Sequence, residues 1–232
     1  MTFFFKNRDL VVPGDLLAEG NYIAGGNTYK LGNQIYANRI GLVEYSSERV
    51  SVIALEAPYY PRLGDTVVGK IVDIGIWGWR VDIKAPLLAF LKVSDAIREP
   101  FDPRMNLERI FNIGDLIIGK VVDFNKAGRP LLSTRGPDLG RIDDGLIVSI
   151  TPTKIPRLIG KKGSMVNMIL NESGCEMLIG QNGLVVVKGK SRREEKIVAA
   201  AIRKIEREAH TTGLTDRVFD FIRKMKERKN LG

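Results

Sequence analysis

The chain has 232 residues, 44% hydrophobic and 27% charged, which excludes a disordered protein and leaves room for two to three small domains. Apolar runs of only a few residues exclude a transmembrane helix, and residues 1–6 are too short for a signal-peptide core. One cysteine, Cys175, and one histidine, His210, exclude an internal disulfide and a zinc finger or ribbon. An intracellular, cytoplasmic protein without metal or cofactor is therefore expected.

The first 60 residues read as a small β domain. Residues 11–17 (VVPGDLL) carry turn chemistry between two apolar pairs, and residues 38–45 and 49–55 are strand-like. No catalytic constellation appears. Residues 1–64 hold 6 basic and 6 acidic side chains, so this third is neutral in a chain of net charge +9. A plain β domain and a protein-docking module both remain open. Pro58 and Pro61 mark its end.

A near-repeat follows. Residues 63–73 (LGDTVVGKIVD) match residues 113–123 (IGDLIIGKVVD) at a spacing of 50. Two copies with different flanks do not make a solenoid. Each reads as a Gly-Asp turn leading into a strand, and Gly69 and Gly119 suit sharply bent barrel strands. Residues 74–83 and 87–92 are strand-like, residues 95–112 form a polar connection, and residues 129–133 (RPLLS) make a fifth strand. Trp79 is expected in the core, on the face opposite Trp77. Trp77 is open to burial or to contact with a base. No spacing brings Asp73, Asp82 and Asp123 together, so no metal-dependent or acid–base catalytic site is expected.

This barrel pattern resembles the S-one-type OB fold, an RNA-binding barrel. The match runs through Gly64, Asp65 and Gly69, residues 76–81 (IWGWRV), residues 88–94 and residues 131–133. The resemblance implies an RNA face carrying Trp77, Arg80, Lys92 and Arg129. Arg80 stands where that family usually has a second aromatic, and Lys92 where it often has a histidine. Arginine can stack on a base or contact phosphate.

Residues 136–140 (GPDLG) link the barrel to the last domain, residues 142–232, which holds 18 basic and 11 acidic side chains. Residues 146–150 (LIVSI) read as a strand. Residues 158–166 (LIGKKGSMV) place Lys161 and Lys162 between Gly160 and Gly163. Apolar residues at 155, 158 and 159, and at 165, 166, 169 and 170, give one helix face on each side of this turn. Residues 175–179 and 184–187 are strands around Asn182-Gly183. Ser191 and Glu194 form a capping box for a helix with Ile197, Val198, Ala201, Ile202 and Ile205 on one face. The order resembles the KH domain, type I, whose GxxG loop clamps a nucleic-acid backbone. Residues 214–230 add an amphipathic helix with Leu214, Val218, Phe221, Ile222 and Met225 on one face. Arg223, Lys224, Lys226, Arg228 and Lys229 lie on the other.

The fold expected is multidomain, mainly β plus α+β: a β domain at 1–60, a five-stranded barrel at 61–138, and a KH domain with terminal helix at 142–232. That order resembles the S-one/KH cap subunit of the archaeal exosome. The resemblance implies a non-catalytic RNA-binding subunit, three copies of which sit on a hexameric RNase PH-like ring. They can mix with a sister cap subunit that bears a zinc ribbon. It implies docking by the N-terminal domain and recruitment of A-rich RNA 3′ ends into the ring channel, with no membrane partner. The alternative is a free RNA-binding factor of the transcription-elongation or translation type.

Overall fold

The computed structural model describes residues 2–55, 57–97, 105–209 and 211–227. His210, Arg228, Lys229 and residues 98–104 of the polar connection lie outside them. The chain divides into two compact units, Met1–Ala57 and Pro58–Gly232.

The first unit has eight short strands: β1 (Thr2–Phe3), β2 (Leu10–Val11), β3 (Leu16–Glu19), β4 (Ile23–Ala24), β5 (Thr28–Leu31), β6 (Gln34–Ala37), β7 (Gly41–Tyr45) and β8 (Arg49–Ala54). They form two four-stranded sheets, β1-β3-β6-β5 and β2-β7-β8-β4. Alternation along β6, β7 and β8 turns Ile35, Ala37, Val43, Val50 and Val52 inward, where they meet Leu17 and Tyr22 in one core. Burial of this small apolar set holds the unit together.

The second unit begins at Pro58, ahead of the boundary expected near residue 60. Tyr59 packs into the barrel core, and its hydroxyl donates to Asp65 at 2.7 Å. Burial, and then that carboxylate, push the Tyr59 hydroxyl far above its ordinary range. The barrel strands are β9 (Thr66–Gly75), β10 (Gly78–Asp82), β11 (Ala89–Lys92), β12 (Leu116–Phe124) and β13 (Pro130–Ser133), with a one-turn helix α1 (Val93–Ala96) after β11. Their order is β13-β11-β10-β9-β12, and β12 pairs again with β13, which closes the sheet. This is the five-stranded OB barrel.

Residues 74–83 are not one strand. They turn back at Ile76 and Trp77, and Gly78 opens β10 at φ 145°. A Cβ at Gly78 would stand 2.0 Å from the Leu91 carbonyl oxygen. Glycine therefore permits both the turn and the close approach of β11. The unbroken apolar character of residues 74–79 hides the turn from a period-2 reading.

The two repeat copies pair with each other. Val68 lies opposite its counterpart Ile118 in an antiparallel register. The Gly64 N–H donates to the Val121 carbonyl, and the Gly114 N–H to the Ile71 carbonyl, both at 2.8 Å. The repeat is thus a local two-fold built into one barrel wall. Its two glycines are not equivalent. A Cβ at Gly69 would meet Val81 Cγ1 at 2.5 Å, whereas at Gly119 the nearest atom is 3.5 Å away. Gly69→Ala is expected to destabilise the protein by about 1–3 kcal/mol through overpacking, and Gly119→Ala by less than about 1 kcal/mol. Denaturant midpoints of the two variants check this.

The linker is not a free tether. Its end forms β14 (Gly140–Ile142), which adds to β12 with Leu116 opposite Ile142. The last domain then runs β15 (Leu146–Ser149), α2 (Ile155–Ile159), a 3-10 turn Lys161–Gly163, α3 (Ser164–Ser173), β16 (Glu176–Ile179), β17 (Leu184–Lys188), α4 (Arg192–Glu208) and α5 (Leu214–Glu227). The sheet order is β15-β17-β16, antiparallel throughout. That topology is the type I KH arrangement. The Ser191 hydroxyl caps α4 by accepting from the Glu194 N–H at 3.4 Å. The terminal helix packs on α3 and α4 through Leu214, Val218 and Ile222.

Asn182 does more than turn the chain. Its amide donates to the Val68 carbonyl at 2.6 Å and the Ile83 carbonyl at 2.9 Å, and its oxygen accepts from the Val68 N–H at 3.2 Å. Beside it the Gln181 N–H donates to the Thr66 carbonyl at 2.8 Å. Val68, Leu184 and Val186 close an apolar seam over the same contact. The β16–β17 turn is therefore bonded to β9 of the barrel.

Candidate nucleic-acid interface

The GxxG loop is built by backbone geometry that few side chains tolerate. Gly160 sits at φ 76°, Lys162 at φ 54° and Gly163 at φ 81°. A Cβ at Gly160 would stand 2.6 Å from the Met165 nitrogen, so α3 begins where only glycine fits. Ile155, Leu158, Met165 and Ile169 bury beneath the turn and fix its two helices. Lys161 and Lys162 are exposed. No side chain caps the N-terminus of α3. The Ser164 N–H that opens α3 donates to the Lys161 carbonyl, so it is the positive end of the helix, with two ammonium groups beside it, that makes a site for an anion.

The loop borders a cleft of about 410 Å³ whose lining includes Arg157, Gly160, Lys161 and Ser164 on one side and Thr211 to Asp216 on the other. Arg157 was not singled out from sequence. Its position on the exposed side of α2, two residues from Ile155, was the available signal.

On the barrel, Trp77 sits at the tip of the β9–β10 hairpin and is 67% exposed. It lines a largely apolar cleft of about 300 Å³ with Phe90, Lys92, Val93 and Ser94. Trp79 turns inward as expected; it is fully buried, and its indole N–H donates to the Phe111 carbonyl at 2.9 Å. Phe90 was missed by the sequence reading. It lies on β11 opposite Arg80, and alternation with the buried Ala89 and Leu91 was the signal that it faces outward with Lys92. Phe90 supplies a second ring on the face where the pattern of β10 supplies an arginine.

Arg80 is on this face but engaged. Its guanidinium donates through Nε to Asp73 Oδ2 at 2.6 Å and through Nη2 to the same oxygen. Arg129 stands apart. It closes the β12–β13 turn, where its N–H donates to Asn125 Oδ1 at 2.8 Å. The parallel register of Phe90 with Leu131 sets Arg129 beside Leu88, four residues from Lys92, or about 13 Å along the strand. The structure thus gathers Trp77, Lys92 and Phe90, keeps Arg80 adjacent in an ion pair, and leaves Arg129 at the far end. Asp82 and Asp123 bind their own local backbone and do not converge with Asp73.

A closed OB barrel joined through a shared seam to a KH fold with an intact GxxG turn defines a two-module barrel–KH protein. Models of three domain families match it in order: the exosome RNA-binding protein RRP4 N-terminal domain over residues 8–56, the RRP4 S1 domain over 58–123, and the KH domain over 145–207. The exosome complex component Rrp4 of Thermococcus kodakarensis is 48% identical over 99% of this chain and 91% of its own length. That of Methanothermus fervidus is 43% identical over 94% of this chain and 97% of its own. A crystal structure assigned provisionally as an exosome complex RNA-binding protein superposes with a TM-score of 0.71 at 38% identity, over 75% of this chain and 99% of that one. The chain belongs to the Rrp4 family of exosome components.

Proposed function

We propose that this chain is a non-catalytic RNA-binding cap subunit of an exosome. It binds RNA through the GxxG loop and the Trp77 cleft and delivers 3′ ends, A-rich tails among them, to an RNase PH-like hexameric ring. The observation that carries this reading is the uncapped start of α3 beside Lys161 and Lys162, in a chain of this family. The charge-neutral residues 1–64 support docking of the N-terminal unit on protein and not on RNA. Three copies on one ring, alone or mixed with a zinc-ribbon sister subunit, and a cytoplasmic setting complete the proposal.

The logarithm of RNA affinity should fall linearly with the logarithm of salt concentration, because phosphate contacts release counterions. The test is elution of the full chain with the ring and with single-stranded RNA. Failure to bind either overturns the proposal.

The two tryptophans separate binding from folding. Trp77→Ala is expected to weaken RNA binding about 5- to 150-fold, from the roughly 1–3 kcal/mol that stacking on one base contributes, and to leave the melting temperature unchanged. Trp79→Ala is expected to cost about 3–5 kcal/mol of stability. Fluorescence anisotropy and thermal melts of both variants check the pair.

A further inference from the structure

Helix α4 carries a charged surface apart from the GxxG loop and the barrel cleft. Helix α4 buries Ile197, Val198, Ala201, Ile202 and Ile205 on one side. Its opposite side carries Arg192, Lys196, Arg203 and Arg207, all exposed. At roughly 100° per residue these four fall within an arc of about 60°, and they run roughly 22 Å along the helix. Arg193 lies at the edge of the arc, and no carboxylate lies within it.

Of the nearby acids, Glu195 pairs with one end of the stripe, and Glu206 and Glu208 are engaged elsewhere. Glu195 is buried below Arg192, 3.5 Å from it. Glu206 accepts from Thr151, and Glu208 pairs with Lys204 and Arg217. Lys196, Arg203 and Arg207 have no ion pair among the described residues. Like charges at i and i+4, as in Arg192 with Lys196 and Arg203 with Arg207, repel and destabilise a helix. A cationic stripe of which three members, Lys196, Arg203 and Arg207, lack a counter-charge among the described residues fits a polyanion.

The stripe also leads somewhere. Thr211, four residues past Arg207, lines the cleft shared with Arg157, Gly160 and Lys161. We infer that the exposed face of α4 is a second RNA-binding surface, which holds the phosphate backbone without reading sequence and continues the track that starts at the GxxG loop. This inference rests on the reading of the chain as an RNA binder. RNA is favoured over an acidic protein because the chain just past the stripe, at Thr211, lines the same cleft as that loop.

The test compares Lys196→Gln with Arg203→Gln in one full-length variant against Arg62→Gln with Lys70→Gln, which removes equal charge from the barrel. Glutamine keeps helix propensity. The probes are an oligouridine of about four nucleotides, the length a KH loop clamps, and one about six times longer. The α4 variant should bind the long RNA about tenfold more weakly at low salt, with the salt slope reduced by about 1.4, since each single-strand phosphate contact contributes about 0.7. It should bind the short RNA normally and melt at an equal or higher temperature, as repulsion is relieved. The barrel variant should change the long-RNA slope little.

Unchanged affinity and slope in the α4 variant, where Lys161→Asp with Lys162→Asp still weakens binding, overturns the inference and leaves the RNA reading standing. Equal losses from the α4 and barrel variants overturn it as a general charge effect. No loss in any variant overturns the RNA reading itself. Unchanged RNA binding with loss of an acidic protein partner also overturns it.

Discussion

Lys161→Asp combined with Lys162→Asp is expected to lower affinity for single-stranded RNA about a hundredfold at low salt, which corresponds to roughly 2.7 kcal/mol. The change removes two cations and adds two anions beside the N–H groups that open α3. Those groups attract phosphate because the helix start carries partial positive charge. The effect should shrink as salt rises and screens the loop. The fold should survive. Both lysines are exposed, and aspartate is among the residues that tolerate the left-handed backbone found at Lys162, φ 54°. Anisotropy titrations at several salt concentrations, with a thermal melt as control, measure this. An unchanged affinity and salt slope would reduce the loop to a helix connection.

Asn182→Asp is expected to be the most destabilising single change in the second unit, on the order of 4 kcal/mol or more. The amide nitrogen that donates to the Val68 and Ile83 carbonyls becomes an oxygen facing two other oxygens. The side chain is only 3% exposed, so water cannot compensate. Two buried carbonyls lose a donor, at about 1–3 kcal/mol each, and a buried carboxylate adds its own desolvation cost. Asn182→Ala removes the same bonds without adding charge and should cost less. Since the contact joins the KH turn to the barrel, calorimetry should show the barrel and KH transitions separating in the Asp variant. A single, unshifted transition would mean that the seam of Val68, Leu184 and Val186 holds the two folds together without this bond.

What was legible in the sequence was local. Gly160 and Gly163 announced a turn that only small residues make, and the capping box placed the start of α4. Trp79 was expected inside, yet strand alternation sets residues 77 and 79 on one face, and it is the turn at 76–77 that separates them. What was hidden was tertiary. The 76–77 turn lies in an apolar stretch where strand and hairpin look alike. Asn182-Gly183 signalled a turn, yet nothing local says that the Asn182 side chain reaches Val68, 114 residues earlier. Phe90 gained its meaning from the strand beside it, because only the register across β10 and β11 sets it with Trp77 and Lys92. Arg129 entered the candidate face through the barrel resemblance, and strand stagger sets it at the far end.

The measurement closest to the central claim is the shortening of a radiolabelled single-stranded RNA, with and without inorganic phosphate, by this chain alone, by the RNase PH-like ring alone and by the two together. The account predicts no shortening by the chain alone under either condition, and faster phosphate-dependent 3′-to-5′ degradation when the chain joins the ring. That gain should be lost with Lys161→Asp and Lys162→Asp. Shortening by the chain alone, or a ring whose rate and RNA affinity are unchanged by it, would contradict the account.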